Sequence, residues 1–430
     1  MPAKLFPHAA VVSPHYLASS AGLVVLASGG NAVDAAVATN LVLAVTYPHM
    51  CGLGGDLFAI VWNQGETTGL NSSGRLPVAA TLADGIVPGT GIGSATVPGA
   101  VAGWHALIER YGTRSIAELA APAIRLAREG CPRAPFLRRS TRLMTDLLRK
   151  DPEASRIYLS NDPLVQSDLA DTIEGIENFY TGAAARNAPA PFTPDDFAAH
   201  RAEWVEPVHT SFNDVEVYEM PPNSRGHLVI EALDRLEPLD DLGPDDAEYH
   251  LRLARAIGAT DDASDTIYLC VRDENGMSVS LNQSLFHAFG SGVVIPGTGV
   301  LLHNRGSYFK LDEYKPRARP THTLAPAMAL ENGTPRLIFG TMGGETQVQT
   351  HMQLLARIIH SGQDVAEALA APRWVRREND PLRAEPGLPD IGAEPLHYPD
   401  LAGHAHAILI EETHLAAAHD PRSDGAALGY

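Results

Sequence analysis

The pattern of apolar and polar residues predicts helices and strands in both halves of the chain. A helix opens at Asn31 and runs to about Val45, and it is apolar nearly all round, which indicates burial. Asn31 can cap this helix, and Asp34 lies in its first turn, where the helix dipole favours an anion. The glycine-rich loop Cys51-Gly52-Leu53-Gly54-Gly55-Asp56 then leads into a strand over residues 57–62.

Helical patterns dominate the next part of the chain. We predict helices over 100–111 and 115–129, and a mixed, mostly helical pattern over 132–236. Residues 237–265 are rich in Asp and Glu, and we expect them to form a surface segment.

The sequence pattern changes after residue 265, from mostly helical to rich in strands. Two short strands, over 266–271 and 277–281, flank Asn275-Gly276, which is a strong hairpin signal. Gly343-Gly344 precedes a predicted helix over 346–360. Strands in both halves with helices between them indicate a layered α/β architecture.

Composition and charge narrow the class of protein. The chain has 430 residues, of which 45% are hydrophobic and 19% charged, which is ordinary for a globular enzyme. The formal net charge is −19, so phosphates would be repelled and a nucleic-acid partner is not expected.

Three cysteines, Cys51, Cys131 and Cys270, are too few for a disulfide framework and fit a reducing compartment. The first residues show no signal-peptide pattern. The most apolar stretch, 35–47, is shorter than the roughly 20 residues that span a bilayer. We therefore expect a cytoplasmic protein without a membrane partner.

Thr266 is the most informative residue for chemistry. It heads a strand and follows an acidic, linker-like segment, Asp261-Asp262-Ala263-Ser264-Asp265. A cut between Asp265 and Thr266 would give Thr266 a free α-amine, and one residue would then carry a hydroxyl nucleophile and its base.

Other residues can complete such a site. The Gly343-Gly344 amides, just before a helix, can point at a developing oxyanion, and Ser284 can hydrogen-bond the Thr266 hydroxyl. His322 and Thr323 can line a pocket. Neither a Gly-x-Ser-x-Gly elbow nor an HExxH metal helix occurs, and the chemistry predicted here requires no metal or organic cofactor.

These motifs together resemble the γ-glutamyltranspeptidase family of N-terminal-nucleophile hydrolases, in the right order over nearly the whole chain. The matching segments are 29–36 with Pro48 and 52–55, Val97-Pro98-Gly99-Ala100-Val101-Ala102-Gly103, Pro221-Pro222-Asn223-Ser224, the Thr266 strand, Phe289-Gly290-Ser291-Gly292, Gly343-Gly344 and Asp420-Pro421-Arg422-Ser423-Asp424-Gly425.

The resemblance implies a four-layer αββα fold and a proenzyme that cuts itself at Asp265/Thr266. Residues 1–265 and 266–430 would be a large and a small portion that stay associated in one fold, with a homodimer as a candidate assembly. Thr266 would attack a small amide or γ-glutamyl-type substrate and pass the acyl group to water or an amine. Ser284 would correspond to the supporting hydroxyl, and Gly343 and Gly344 to the oxyanion hole.

Departures from the family pattern affect substrate recognition. The family's carboxylate-binding arginine falls on Leu82, its amine-binding aspartate falls within 306–308, and its paired serines fall on His322-Thr323. The asparagine after the supporting hydroxyl falls on Phe286, which we therefore predict to bind substrate together with His322 and Thr323. Arg75 is a candidate replacement for the missing arginine. The pattern is similar to the amidohydrolase and acylase branch.

The segment before Thr266 is shorter than the family usually has. Two alternatives therefore stand beside the amidohydrolase: a true γ-glutamyltransferase or glutathione hydrolase, and an uncleaved, non-catalytic relative that binds a small acid.

Overall fold

The computed structural model describes residues 2–82, 85–259, 265–344, 346–378, 380–396 and 402–430, so the predicted linker residues 261–264 lie outside the described part. The strands are β1 (Lys4–Phe6), β2 (Ala10–Ser13), β3 (Asp56–Asn63), β4 (Glu66–Ser72), β5 (Glu203–Val205), β6 (Val208–Phe212), β7 (Val215–Glu219), β8 (Asp265–Arg272), β9 (Ser278–Phe286), β10 (Val294–Ile295), β11 (Val300–Leu301), β12 (Ala327–Glu331), β13 (Thr334–Met342), β14 (Trp374–Val375), β15 (Arg383–Ala384), β16 (Glu394–Pro395), β17 (His404–Ile410), β18 (Leu415–His419) and β19 (Ala426–Gly429).

Eight of the described helices lie between β4 and β5, and the others lie in pairs between β2 and β3, between β7 and β8, and between β13 and β14. They are α1 (Tyr16–Ala27), α2 (Ala32–Thr46), α3 (Ala100–Tyr111), α4 (Ile116–Glu129), α5 (Pro135–Leu143), α6 (Thr145–Leu148), α7 (Pro152–Tyr158), α8 (Ser167–Glu174), α9 (Ala183–Asn187), α10 (Pro194–Ala198), α11 (His227–Arg235), α12 (Ala247–Ile257), α13 (Thr346–Leu355), which a π-helical turn over Ala356–His360 extends, and α14 (Val365–Ala370). Within the described ranges, none of them is long and apolar enough to cross a membrane.

Two seven-stranded antiparallel sheets form the centre of the molecule. Sheet I has the strand order β19-β2-β8-β9-β3-β4-β5, and sheet II has the order β1-β18-β17-β13-β12-β7-β6. Both sheets mix strands from before residue 265 with later ones: β8 and β9 lie between β2 and β3 in sheet I, and β18, β17, β13 and β12 lie between β1 and β7 in sheet II. Each sheet is therefore built from both portions of the chain.

Apolar side chains on alternate strand positions pack the two sheets face to face. Phe58 and Tyr268 of sheet I meet Ile338 and Ile408 of sheet II in one buried cluster. A second cluster joins the outer face of sheet I to α1–α4, and a third joins the outer face of sheet II to α11–α14. The four-layer αββα arrangement expected from the sequence is confirmed.

Helix α2 forms as its sequence predicts. All of its 15 residues are buried, and it begins with a capping box. The Asn31 side chain accepts a hydrogen bond from the Asp34 N–H at 2.9 Å, and the Asp34 carboxylate accepts from the Asn31 N–H at 3.0 Å. Asp34 also accepts from the Thr113 hydroxyl at 2.5 Å, so this cap holds the loop after α3.

The predicted hairpin at Asn275-Gly276 is confirmed, but the predicted surface segment over 237–265 is wrong in part. That segment contains α12, on which Tyr249 and Leu253 are 0% and 1% exposed. These side chains are four residues apart and lie on one helix face, so they bury together. The many acidic residues nearby obscured this apolar stripe.

A buried ion pair holds the end of sheet II. The Asp420 carboxylate accepts from the Arg373 guanidinium at 2.6 Å and from the Ala405 N–H at 2.9 Å. Burial alone would raise the pKa of Asp420, but the charges of Arg373 and Arg422 outweigh it and hold this pKa well below its usual range. Arg373 also donates to the Gly403 carbonyl at 2.8 Å, which fixes the residues just before β17.

A second buried acid, Glu219, is protonated, whereas Asp420 is ionised. Glu219 lies 2.7 Å from His351 Nδ1, and both side chains are fully buried. Burial raises the pKa of Glu219 well above its usual range and lowers the pKa of His351 to about 3. The pair is therefore neutral, with the protonated carboxyl donating to the imidazole.

We expect Asp420→Asn to lower the free energy of unfolding by about 3–5 kcal/mol at pH 7, because it leaves the buried Arg373 guanidinium without its ion-pair partner. Glu219→Gln keeps a neutral hydrogen-bonding group and should change the free energy of unfolding by less than about 1 kcal/mol. The stabilisation from ionised Asp420 is complete above the ordinary carboxyl pKa and is lost as the pH falls towards its depressed folded pKa. The difference between Asp420→Asn and the unsubstituted protein should therefore narrow below about pH 4.

Urea unfolding of the unsubstituted protein and of both variants at several pH values measures these free energies of unfolding. Equal losses at pH 7 would contradict the assigned charge states.

Candidate active site

Thr266 lies in the second position of β8, on the face that meets sheet II. It shares this face with Tyr268 and Cys270, and it is 1% exposed. The pairing of β8 with β9 shifts register here: Asp265 pairs with Phe286, but Ile267 pairs with Gln283. Two residues of β9 therefore stand opposite Thr266, and such bulges re-aim side chains beside active sites.

The bulge brings two hydroxyl groups together. Thr266 Oγ1 donates a hydrogen bond to Ser284 Oγ at 3.2 Å. Ser284 Oγ also accepts from the Phe286 N–H at 2.7 Å, which fixes its rotamer. The structure thus places Ser284 where the sequence predicted a partner for Thr266.

Side chains along β9 show which part of sheet II faces Thr266. Ser280 Oγ donates to the Phe339 carbonyl at 3.4 Å, and Asn282 Nδ2 donates to the Thr341 carbonyl at 3.1 Å. Ser284 lies two residues further along β9, and Gly343 lies two residues further along the chain, just past the end of β13. The Thr266–Ser284 pair is therefore aligned with the Gly343-Gly344 loop.

The two glycines adopt backbone angles that suit glycine. Gly343 has φ +137° and Gly344 has φ +59°. The Gly343 carbonyl accepts from the Thr346 hydroxyl at 2.6 Å and the Gly344 carbonyl accepts from the Gln347 N–H at 3.2 Å, so both carbonyls turn towards α13. Neither glycine N–H donates a hydrogen bond to a backbone carbonyl in the described part of the chain. Two amide N–H groups are thus available as donors just past the end of β13.

Asp56, which the sequence analysis did not single out, lies on β3, on the opposite side of β9 from Thr266. It is 0% exposed and pairs directly with Ser284 across β3 and β9. Asp56 Oδ1 accepts from the N–H groups of Gly74 and Gly99 at 3.0 and 3.1 Å. The only signal in the sequence was its place at the end of the glycine-rich loop.

His322 lies over this carboxylate. Its Nε2 is 2.9 Å from Asp56 Oδ2, a close contact without hydrogen-bond geometry. Burial, followed by the charges of Arg305 and Arg319, lowers the pKa of His322 well below its usual range. His322 is therefore a neutral imidazole held against a carboxylate.

Arg305 is a second functional candidate that sequence reasoning missed. Its guanidinium is 1% exposed, lies 3.9 Å from the centroid of the Phe286 ring, and donates to Thr323 Oγ1 at 3.2 Å. Phe286 has φ +80°, which turns its ring under the guanidinium. Phe286 and Thr323, both predicted to bind substrate, are thus joined by a buried cation.

Arg75 lies apart from these residues. Its half-exposed side chain is 3.6 Å from Glu203 and lines a surface cavity that Thr266, Ser284 and Gly343 do not line. Its predicted contact with a substrate carboxylate stays a prediction. Leu82 packs in a small apolar cluster near Leu76.

Comparison with solved structures defines the class of protein. The fold matches a crystal structure of cephalosporin acylase from Bacillus halodurans with a TM-score of 0.92, at 29% identity, over 100% of this chain and 97% of that one. This is the N-terminal-nucleophile hydrolase fold.

Sequence comparison then gives the family. The family described as "Gamma-glutamyltranspeptidase" matches residues 18–258 and 244–430, and the chain belongs to it. It is 37% identical to the "Glutathione hydrolase-like YwrD proenzyme" of Bacillus subtilis, over 97% of this chain and 98% of that protein. It is 31% identical to the "Oxamate amidohydrolase proenzyme" of Klebsiella pneumoniae, over 98% of each. The chain is therefore a γ-glutamyltransferase-like enzyme of the amide hydrolase or transferase type.

One difference in length accompanies this match. The alignment with the Bacillus protein runs over 514 residues, whereas this chain has 430, so that relative has stretches without a counterpart here. The two matched segments of the family overlap at 244–258. This overlap lies shortly before Thr266, where the sequence analysis noted a shortened segment.

We expect Gly343→Ala to lower the turnover of an amide substrate by about 10²–10³-fold, because the variant keeps the N–H but moves it away from the oxyanion, which has the same effect as losing one oxyanion donor. An added Cβ would lie 2.8 Å from Thr346 Oγ1 and 3.1 Å from Gly403 Cα, so the loop would have to move. Gly65→Ala is the matched control, because Gly65 also has a positive φ of +87° but its Cβ would meet nothing within 4 Å.

Steady-state rates with a chromogenic anilide measure both variants. Unchanged turnover in Gly343→Ala would contradict the placement of the oxyanion at this loop.

Proposed function

We propose that the chain is a self-processing amidohydrolase or acyltransferase with Thr266 as its nucleophile. The observation that carries this proposal is the hydrogen bond from Thr266 Oγ1 to Ser284 Oγ, formed at a bulge that is aligned with the Gly343-Gly344 loop. The proenzyme names of the relatives support a processed chain.

The first reaction in this proposal is scission of the chain. The Thr266 hydroxyl adds to the Asp265 carbonyl, the C–N bond breaks, and the Thr266 nitrogen takes the proton. Water then hydrolyses the resulting ester, which leaves a carboxylate on Asp265 and a free α-amine on Thr266.

The second reaction uses the same groups on a substrate. The α-amine accepts the Thr266 hydroxyl proton as the oxygen attacks an amide carbonyl, and the Gly343 and Gly344 N–H groups stabilise the oxyanion. The leaving amine takes a proton, and water or another amine then accepts the acyl group. Ser284 holds the Thr266 hydroxyl in line for attack.

Substrate recognition falls to the groups around Asp56 in this proposal. Arg305 donates to Thr323, and His322 lies against Asp56, which pairs with the Thr266 partner Ser284. His322 and Thr323 replace the serines found in the family's pattern. We propose a small amide as the substrate, as the name of the oxamate amidohydrolase indicates for that relative. The three cysteines are free and buried, which supports the proposed reducing, cytoplasmic location.

Two other functions each have one observation in their favour. The Bacillus relative named glutathione hydrolase-like favours true γ-glutamyl transfer or hydrolysis. The shortened segment before Thr266 favours an uncleaved protein that only binds a small acid.

We expect purified protein to run as two fragments on a denaturing gel, with the new N-terminus at Thr266. Thr266→Ala should stay uncut because it lacks the hydroxyl, whereas Thr266→Ser should still be cut. Mass spectrometry of both fragments locates the bond. An unsubstituted chain that stays whole after long incubation would refute self-processing and favour the binding protein.

Substrate assays separate the two enzymatic candidates. We expect faster release of ammonia from oxamate than of aniline from a γ-glutamyl anilide, because the family's carboxylate-binding arginine is replaced by Leu82. The reverse order would favour true γ-glutamyl transfer.

A further inference from the structure

A surface cavity of about 640 Å³, which is large enough for a small organic ligand, lies apart from Thr266 but is lined by residues close in sequence to Gly74 and His322, which contact Asp56. Four arginines line it: Arg75, Arg201, Arg317 and Arg319. We call it the arginine cavity. Apolar side chains, among them Leu76 and Val97, form part of its wall.

The charges in this cavity do not cancel. Glu203 accepts two hydrogen bonds from Arg319, at 2.9 and 2.8 Å, and also lies 3.6 Å from Arg75. The recorded bonds of Arg201 go to the backbone carbonyls of Ala198 and His200. In the part of the chain that the structure describes, no carboxylate forms an ion pair with Arg201 or Arg317.

Two further acids line the cavity, so the excess is small. Asp195 and Asp196 lie in the first turn of α10, and Asp196 accepts from the N–H groups of Val78 and Thr193. Four guanidinium groups thus face three carboxylates. This gives the cavity an excess of about one positive charge on a protein whose net charge is −19.

Two chain segments connect the arginine cavity to the Thr266 site. Gly74 donates to Asp56, and the next residue, Arg75, lines the cavity. In the other segment Arg319 lines the cavity, and three residues later His322 lies 2.9 Å from Asp56. Asp56 itself pairs with Ser284, so it separates the cavity from the hydroxyl pair.

We propose that the arginine cavity binds a carboxylate-bearing organic anion, as a second subsite on the far side of Asp56 from the Thr266 site. Guanidinium groups recognise a carboxylate through paired, charge-assisted hydrogen bonds, and the apolar wall can bury a hydrocarbon body. One excess charge matches a monocarboxylate better than a doubly charged phosphate. As a substrate subsite, the cavity would hold the acidic end of the amide substrate or of the acceptor amine; this role rests on the proposed function, but anion binding itself does not.

Calorimetry on the full-length protein tests the binding. The probes are phenylacetate, phenylacetamide as its uncharged counterpart, and inorganic phosphate. We expect phenylacetate to bind more tightly than either of the others, and its affinity to fall as the sodium chloride concentration rises.

A double variant, Arg201→Gln with Arg317→Asn, tests the site. Asn suits position 317 because Arg317 has φ +63°, a conformation that Asn tolerates. We expect its dissociation constant for phenylacetate to rise by about tenfold or more. The control, Arg125→Gln with Arg142→Gln, removes the same charge from two exposed arginines on α4 and α5 and should leave the constant unchanged.

Several results would overturn the proposal. These are no binding of phenylacetate, equal binding of phenylacetamide, tighter binding of phosphate, or the same dissociation constant in both double variants.

Kinetics test the substrate role separately. For an amide substrate with a distal carboxylate, the cavity variant should raise KM by about tenfold and leave kcat unchanged, because it removes binding that is equal in the ground and transition states. An unchanged KM, or a loss confined to kcat, would refute the substrate role. A protein without any amide turnover would refute the proposed function, while the calorimetry would still decide whether the arginine cavity binds anions.

Discussion

The side-chain amide of Asn282 donates hydrogen bonds to a carbonyl of each sheet, Ile267 in sheet I and Thr341 in sheet II, both at 3.1 Å. A buried amide with such partners is costly to displace, so it fixes how the sheets lie along each other. This register sets which residue of β13 faces Thr266. The alignment of a hydroxyl pair with a glycine loop, on which the proposed chemistry depends, follows from it.

Buried charges then hold the loops at this end of the sheets. Asp56 binds the backbone beside Arg75, and Asp420 and Arg373 bind the backbone beside Gly403, which packs on Gly343. Ionised groups are expensive to bury and are tolerated when several donors satisfy them. The protein thus uses its most costly interactions where backbone amides must be held in fixed directions.

Local signals in the sequence predicted much of this fold. The cap at Asn31 and the turn at Asn275-Gly276 depend on neighbours within a few residues, and both form as expected. Recognition of Thr266 came from its context and from the family pattern. Asp56 and Arg305 were missed because their partners are far away in sequence. His322, for example, lies 266 positions after Asp56 and meets it only when the sheets have formed.

The insertion of late strands between early ones in both sheets has a consequence for biogenesis. No sheet can be completed from residues before 265 alone, since β8 and β9 lie between β2 and β3 in sheet I, and four late strands separate β1 from β7 in sheet II. The ribosome must therefore release residues up to 286 before β3 and β9 can pair in sheet I, and residues up to 410 before β13 and β17 can pair in sheet II. Any maturation at the 265/266 bond would be a one-way event, because pieces denatured apart would no longer share the tether that first brought them into register.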